Sequence, residues 1–336
     1  MTDVLAHGTS GATDLPIPLS YALIGAAWAL TFSFAVLAFA WREPRLDPDS
    51  PGVRLFSFVW LELASPEPGS VLAVTIWFTG YLLIGTAGLF LFGTVWAERA
   101  DPLEVYSSLL ARLSPLARGA DMALVLRWPL NNLAGTPALL GSVAVAATLL
   151  GSTAFDSFSM FPGWRDLLID VGGDSALVTT LLRTAGLLGF ILVVWSVFEL
   201  ATRATGGLSR EQRARLPIQL AHSLTPIVAG YIIAHYLTFL VEKGQATLIL
   251  CADPFGRGWN IAGLADLDVH YILSSHPSVL ATLKVLAVLT GHILGVAAHD
   301  RCLRLLPPRH RLTGQLALML VMVGFTFTGL YLLFEA

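Results

Sequence analysis

The sequence predicts an all-α, polytopic transmembrane helix bundle, and three observations carry that reading. Apolar residues make up 55% of the 336-residue chain and charged residues only 13%, a balance no soluble core requires. The mean hydropathy is +0.71. The apolar residues also gather into runs of bilayer-spanning length, about 17 to 25 residues each. No soluble-looking block longer than a loop separates the runs, so residues 1–336 read as a single integral-membrane domain.

Seven spans are visible directly, at roughly 20–41, 71–96, 133–154, 176–201, 217–240, 278–300 and 314–334. Lys and Arg orient them, because loops kept in the cytoplasm accumulate basic residues. Segments 97–132, 202–216 and 301–313 hold four Arg each, whereas 155–175 holds only Arg165 and 241–277 only Lys243 and Arg257. The first three segments are therefore cytoplasmic. Residues 1–19 contain no Lys or Arg, while Arg42, Arg45 and Arg54 follow the first span. Seven spans would strand those three Arg outside, and a short crossing by residues 55–65, LFSFVWLELAS, restores the alternation. The expectation is about eight crossings, one of them short, with both termini extracytoplasmic.

The connections follow from the same reading. Segment 97–119 spaces Leu103, Tyr106, Leu109, Leu110 and Leu113 helically, with charge at Asp101, Glu104 and Arg112, as in an amphipathic helix on the cytoplasmic surface. The outer loops 155–175 and 241–277 carry FPGW and CADPFGRGWN, with His270 and His276 in the second. Their Pro and Gly are turn formers, which predicts ordered loops, although their acidity also follows passively from the charge bias. No charged segment and cleavage site precede the first span, so no removable leader is expected. Cys251 and Cys302 fall on opposite sides of the membrane and imply no disulfide. With a net charge of −3 and scattered basic residues, nucleic acid is excluded as a partner; the partners implied are the lipid bilayer and a small apolar ligand.

Ionisable groups inside hydrocarbon are costly and need a reason to be there. Counting ~1.5 Å per residue from the helix ends puts Glu62 near the outer end of the short second crossing and Asp156 just beyond the outer end of the fourth. Arg183 falls about two turns below the outer end of the fifth, His235 near the outer end of the sixth, and Lys284 about two turns into the seventh. All five share one level in the outer third of the membrane. Glu62 is expected to be neutralised by Arg183 or Lys284, leaving Asp156 and His235 as candidate catalytic residues. Glu62, Asp156 and His235 together are also a nitrogen and oxygen donor set for Zn²⁺, Mn²⁺ or Fe²⁺. A second, cytoplasmic polar level holds His222, His292 and His299, and haem between paired histidines is a weaker fit than a divalent metal. Intramembrane histidines also serve as hydrogen-bonding partners between helices, so a packing role stands beside the functional one. Gly291 and Gly295 form one GxxxG packing motif. The chain has no Walker loop, GxSxG elbow, HExxH, CxxC or GxGxxG, which excludes the enzyme classes that need them.

The runs AHGTSGATDLPIP (6–18), FVWLELASPEPGS (58–70), DPLEVYSSLLARLSPL (101–116), GSTAFDSFS (151–159), LAHSLTPIVAGYIIAHYLTFLVEKGQ (220–245), DPFGRGWN (253–260) and GHILGVAAHDR (291–301) extend in order over most of the chain. Together they resemble a bacterial polytopic membrane family labelled fenitrothion-hydrolase-like, of which this chain would be a shortened member. Members carry a leader before the first run and another pair of spans before WLEL. The resemblance implies an inner (plasma) membrane protein that hydrolyses an organophosphate triester. A metal held by Asp156, His235 and Glu62 would then activate a water. The competing class is a transporter or ion- and proton-handling protein using the same residues.

The charge rule generates a direct test of topology. A cysteine at Ser10 should react with an impermeant thiol reagent in intact cells, and one at Ser50 should be protected. The reverse pattern would invert the tail.

Overall fold

In hydrocarbon no water is available to a free N–H or C=O, and the apolar runs of this chain close their own hydrogen bonds as helices. The computed structural model describes residues 60, 63–66, 70–92, 102–118, 124–136, 138, 141–295, 297–311 and 313–335. The expected first span, 20–41, and Glu62 lie outside the described residues. Helix α1 (Val71–Phe92) is followed by α2 (Pro102–Ala111), a two-stranded antiparallel hairpin of β1 (Leu116–Arg118) and β2 (Leu124–Leu126), and the short α3 (Pro129–Ala134). The bundle proper contains α4 (Ser142–Ser159), α5 (Pro162–Gly172), α6 (Ala176–Arg203), α7 (Arg210–Leu220), α8 (Thr225–Thr238), α9 (Gly244–Leu250), α10 (Pro277–Leu294), α11 (Ala297–Leu305) and α12 (Leu316–Glu335).

Among the described residues, five helical stretches are long and apolar enough to cross a membrane: Val71–Leu91, Ala176–Arg203, Arg210–Leu250, Pro277–Leu305 and Thr313–Phe334. The pair α4 and α5, bent by 81°, makes a sixth if counted as one span. The protein is thus a helical membrane protein.

Several boundaries differ from the sequence reading. Of the run expected at 133–154, residues 142–154 have no proline and lie in the longer helix α4, which begins at Ser142 after the short α3 ends at Ala134. Gly141, with φ of 97°, turns the chain into α4 through a conformation that disfavours a side chain. Asp156 consequently lies inside the last turn of α4, not beyond its end. The expected outer loop 155–175 is mostly the helix α5, started by Pro162 in the first turn, where its missing N–H is harmless. The expected surface helix 97–119 is shorter, as the hairpin takes over from Leu116; α2 buries Val105 against Val145 of α4 instead of lying on the surface alone.

The run expected at 217–240 extends over 41 residues, Arg210–Leu250. It starts at a reciprocal cap between Ser209 and Gln212. It tightens to a 3₁₀ turn at Ala221–Leu224 just before Pro226, and widens to a π turn at Phe239–Lys243. The run expected at 278–300 breaks near Gly295 into α10 and α11.

Close approaches of small residues hold the bundle together. A methyl added to Gly291 would sit 2.5 Å from the Pro226 carbonyl oxygen, and one on Gly230 would sit 2.6 Å from that of Ala287. The antiparallel helices α8 and α10 therefore touch backbone to backbone, the packing that small residues allow in lipid. The working pair is Gly230 with Gly291 across two helices, and Gly295 instead closes α10. Helices α4 and α6 touch likewise at Gly151, where a methyl would meet the Ile191 backbone at 2.7 Å. Around these crossings a core of Phe198, Leu220, Leu224, Ile227 and Cys302 joins α6, α7, α8 and α11. From the short crossing expected at 55–65, Trp60 donates from Nε1 to Thr184 Oγ1 at 3.1 Å, and Ala64 joins Phe155 and Leu187 in a cluster against α4 and α6.

Gly291→Ala should lower the melting midpoint in detergent by the equivalent of about 1–3 kcal/mol of overpacking. Gly80→Ala on α1, where an added methyl meets nothing within 4 Å, should leave it unchanged or slightly raised. Equal midpoints would show that the α8–α10 contact contributes nothing to stability.

Candidate functional site

Helix α4 ends in AFDSFS, and Phe155, Asp156 and Ser157 are all buried there. Consecutive helical residues point about 100° apart, so Asp156 and Ser157 reach the same imidazole from two directions. That imidazole is His235, one turn from the end of α8. His235 Nε2 lies 2.7 Å from Asp156 Oδ2, and the two side chains are 5% and 7% exposed. Ser157 Oγ lies 3.5 Å from His235 Nδ1. An ionised Asp156 can only accept, so Nε2 then carries the proton and Nδ1 presents its lone pair to the Ser157 hydroxyl. Tyr236 packs edge-on against the imidazole with ring centroids 4.8 Å apart.

The surroundings are apolar. Because α5 folds back, Trp164 stacks edge-on against Phe155 at 5.7 Å, and Phe158 and Phe190 complete an aromatic cluster over this end of α4 and α6. On the other side Ser157 and His235 border a cavity of about 470 Å³. Helices α4, α6, α8 and α12 wall it, mainly with residues such as Leu150, Val194, Ile227 and Phe325. Among the described residues no Lys, Arg, Asp or Glu lines it, and the polar side chains are Thr153, Ser157, Tyr231, His235 and Thr328. Tyr231 donates its hydroxyl to the Phe325 carbonyl at 2.8 Å, tying α8 to α12. The rim includes the exposed Val193, Gly324 and Thr328, near the middle of α6 and α12, so the cavity opens sideways.

Of the residues the sequence put at this level, Asp156 and His235 are brought together. Lys284 is buried on α10, and the pairing of residue 230 with 287 places it level with the His235 turn. Arg183 is half-buried on α6 and makes no ion pair among the described residues. Glu62, the expected partner of one of these cations, lies outside the described residues. The metal reading is thus represented by two donors, and no three His, Cys, Asp or Glu side chains converge among the described residues. Donors on one tetrahedral zinc, about 2.0–2.1 Å from the ion, stand roughly 3.3 Å apart. The 2.7 Å separation seen here is instead that of a direct hydrogen bond.

At the second level, too, no metal-holding group of three side chains occurs among the described residues. His292 donates from Nδ1 to the Val288 carbonyl at 2.9 Å, and its buried Nε2 is without a partner among the described residues. His222 Nε2 is likewise without a hydrogen-bond partner among the described residues and, with Thr136, His222 borders a cavity of about 20 Å³. His299 Nδ1 lies 3.1 Å from Gln315 Oε1. His270 and His276 are exposed. In their loop Asp253 accepts from the Arg257 and Gly258 amides at 2.8 and 2.6 Å. Those amides, Arg257 first, hold its carboxyl below the usual carboxylate range. Arg257 in turn lies over the Phe255 and Trp259 rings.

Sequence reasoning missed Ser157, whose only signal is its place beside Asp156 in a buried final turn. It also missed Glu242 in the π turn, a buried carboxylate that accepts from Ser274 N and Oγ at 2.8 and 2.7 Å. Comparison of the chain with family models, with curated proteins and with solved structures gives no match.

The Asp156–His235 contact should appear as energetic coupling. Asp156→Ala leaves the imidazole buried without its acceptor and should cost about 1–3 kcal/mol, while His276→Ala at the surface stays within about 0.5 kcal/mol. A double-mutant cycle on detergent melting should then give a coupling near 1 kcal/mol or more for the pair. Strict additivity would break the pair as a unit.

Proposed function

We propose that this chain is an integral-membrane hydrolase of a neutral, apolar ester, with His235 as general base and Asp156 holding its imidazole. One observation carries the reading: a buried Asp–His hydrogen bond of 2.7 Å stands at the wall of a 470 Å³ apolar cavity. That volume lies in the range of small-molecule sites, roughly 300–1,000 Å³. A wall without Lys or Arg favours an uncharged substrate over an anion, and the fenitrothion-hydrolase-like resemblance supplies the class, an organophosphate triester. The attacking group gives its proton to Nδ1, Asp156 stabilises the imidazolium that results, and the aryl oxide leaves. In an apolar site each of these interactions is stronger than in water.

The proposed setting is a bacterial inner membrane crossed about eight times with both termini outside. The α5 end then faces outward and the substrate enters from the lipid between α6 and α12. In a metal-assisted form of the same reaction Asp156, His235 and Glu62 would hold a divalent ion, which would supply Lewis-acid activation of a water. A second reading, proton or ion handling, is favoured by one observation, the buried Nε2 atoms of His222 and His292, which have no hydrogen-bond partner among the described residues.

Purified protein in detergent should release phenolate from an apolar aryl phosphotriester. His235→Ala should lower kcat/KM about 10²–10⁴-fold, and His276→Ala should have little effect. Stoichiometric metal that is lost together with activity on chelation would select the metal-assisted form. No turnover of either a phosphotriester or an aryl carboxylate ester, with proton uptake in proteoliposomes that needs His222 or His292, would replace hydrolysis by the second reading.

A further inference from the structure

Beyond its first turn, the hydroxyl residues of α4 behave in two ways. Thr148, Ser152, Thr153 and Ser159 all turn back to a carbonyl of their own helix, at 2.8, 3.0, 2.8 and 2.7 Å. This is the usual way a buried helical hydroxyl satisfies its proton in an apolar environment. Ser157 does not do so. Its hydroxyl meets His235 Nδ1 at 3.5 Å, while the far nitrogen of the same ring is held by Asp156 at 2.7 Å. Ser157 and His235 both border the apolar cavity and Asp156 does not, so the order from cavity inward is hydroxyl, imidazole, carboxylate.

We propose that Ser157 is the nucleophile of the reaction and carries a covalent intermediate. The proposal rests on the hydrolase reading and deepens it. A hydroxyl is a weak nucleophile until an adjacent base takes its proton, and that base needs a third group to fix its orientation. The three groups occur here in that sequence, without the GxSxG elbow that marks the commonest serine hydrolases. The imidazole is used in the opposite sense to the best-known triad, with the serine at Nδ1 and the carboxylate at Nε2. A contact of 3.5 Å is long for a hydrogen bond, as nucleophile–base contacts often are before substrate closes on them.

The steps balance with water as the only co-reactant. Ser157 Oγ forms a bond to phosphorus as its proton passes to His235 Nδ1. The bond from phosphorus to the aryl oxygen breaks, and the aryl oxide leaves with the electron pair and takes the proton from the imidazolium. Water then attacks phosphorus, its proton goes to Nδ1, and the Oγ–phosphorus bond breaks as that proton returns to Ser157. A carboxylic ester follows the same course at its carbonyl carbon.

The test uses the full chain in detergent and a neutral, apolar fluorophosphonate, with adducts counted by intact mass and mapped by peptide mass spectrometry. A single adduct on Ser157 is expected, formed about 100-fold or more slowly in His235→Ala and at the normal rate in Ser152→Ala. Mapping on the wild-type chain needs no variant to fold. Ser157→Cys, nearly isosteric, should move the adduct to sulfur if Ser157→Ala misfolds. Turnover of the phosphotriester with no adduct on Ser157, or turnover that survives in folded Ser157→Ala, overturns the nucleophile and leaves His235 acting on water. An adduct on Ser157 without turnover of any ester upholds the activated serine and overturns hydrolysis. Absence of both overturns both.

Discussion

Every backbone polar group along the spans of this protein must find its partner within the protein, because hydrocarbon offers none. For the backbone this requires helices, and the helices in turn require small residues wherever two of them meet closely. Gly151 against Ile191 and Gly230 against Gly291 set the distances between α4 and α6 and between α8 and α10. Those two helix pairs then fix the rest: α4 and α8 come together with Asp156 opposite His235, and α6 and α12 are left to wall the cavity. The site is thus a by-product of where glycine permits backbones to touch.

The departures from regular helix are concentrated in the same elements. The 41-residue run that carries His235 contains both the 3₁₀ turn at Ala221–Leu224 and the π turn at Phe239–Lys243. All four residues of the 3₁₀ turn are buried, as they must be, since irregular backbone is tolerated at membrane depth only under protein cover. The π turn lies one turn beyond His235 and presents Glu242 to Ser274, which anchors the following loop. Single π turns inside α-helices are frequent at functional sites, and this one shifts the helix face immediately past the imidazole.

Much of this was legible in the sequence. Charge asymmetry and depth counting brought Asp156 and His235 to one level because a costly intramembrane charge is visible in any apolar run. The spans at Ala176–Arg203 and Leu316–Glu335 were bounded to within a few residues for the same reason. The start of α4 and the helical nature of α5 were not legible, since apolar composition marks lipid exposure and not the residue at which Pro or Gly turns the chain. Helix rotation was equally hidden: α6 and α12 are apolar all round, so no stripe announces which face meets a neighbour. Ser157 escaped because a hydroxyl costs little in a helix that can satisfy it internally; only its failure to bond back, a three-dimensional fact, sets it apart.

The sideways mouth of the cavity, bounded by Val193 on one helix and Gly324 and Thr328 on the other, changes what concentration means for this protein. The apolar ester proposed as substrate would arrive through that mouth from among acyl chains, so its relevant abundance would be a mole fraction in lipid, not a molarity in water. Partitioning would then do the first part of the binding before any residue is touched. Adding inert lipid at constant total ligand dilutes the occupant and slows its encounter with the site, although the aqueous volume is unchanged. Two ligands of equal fit can then differ in apparent affinity by the ratio of their partition coefficients, and selectivity belongs partly to the bilayer.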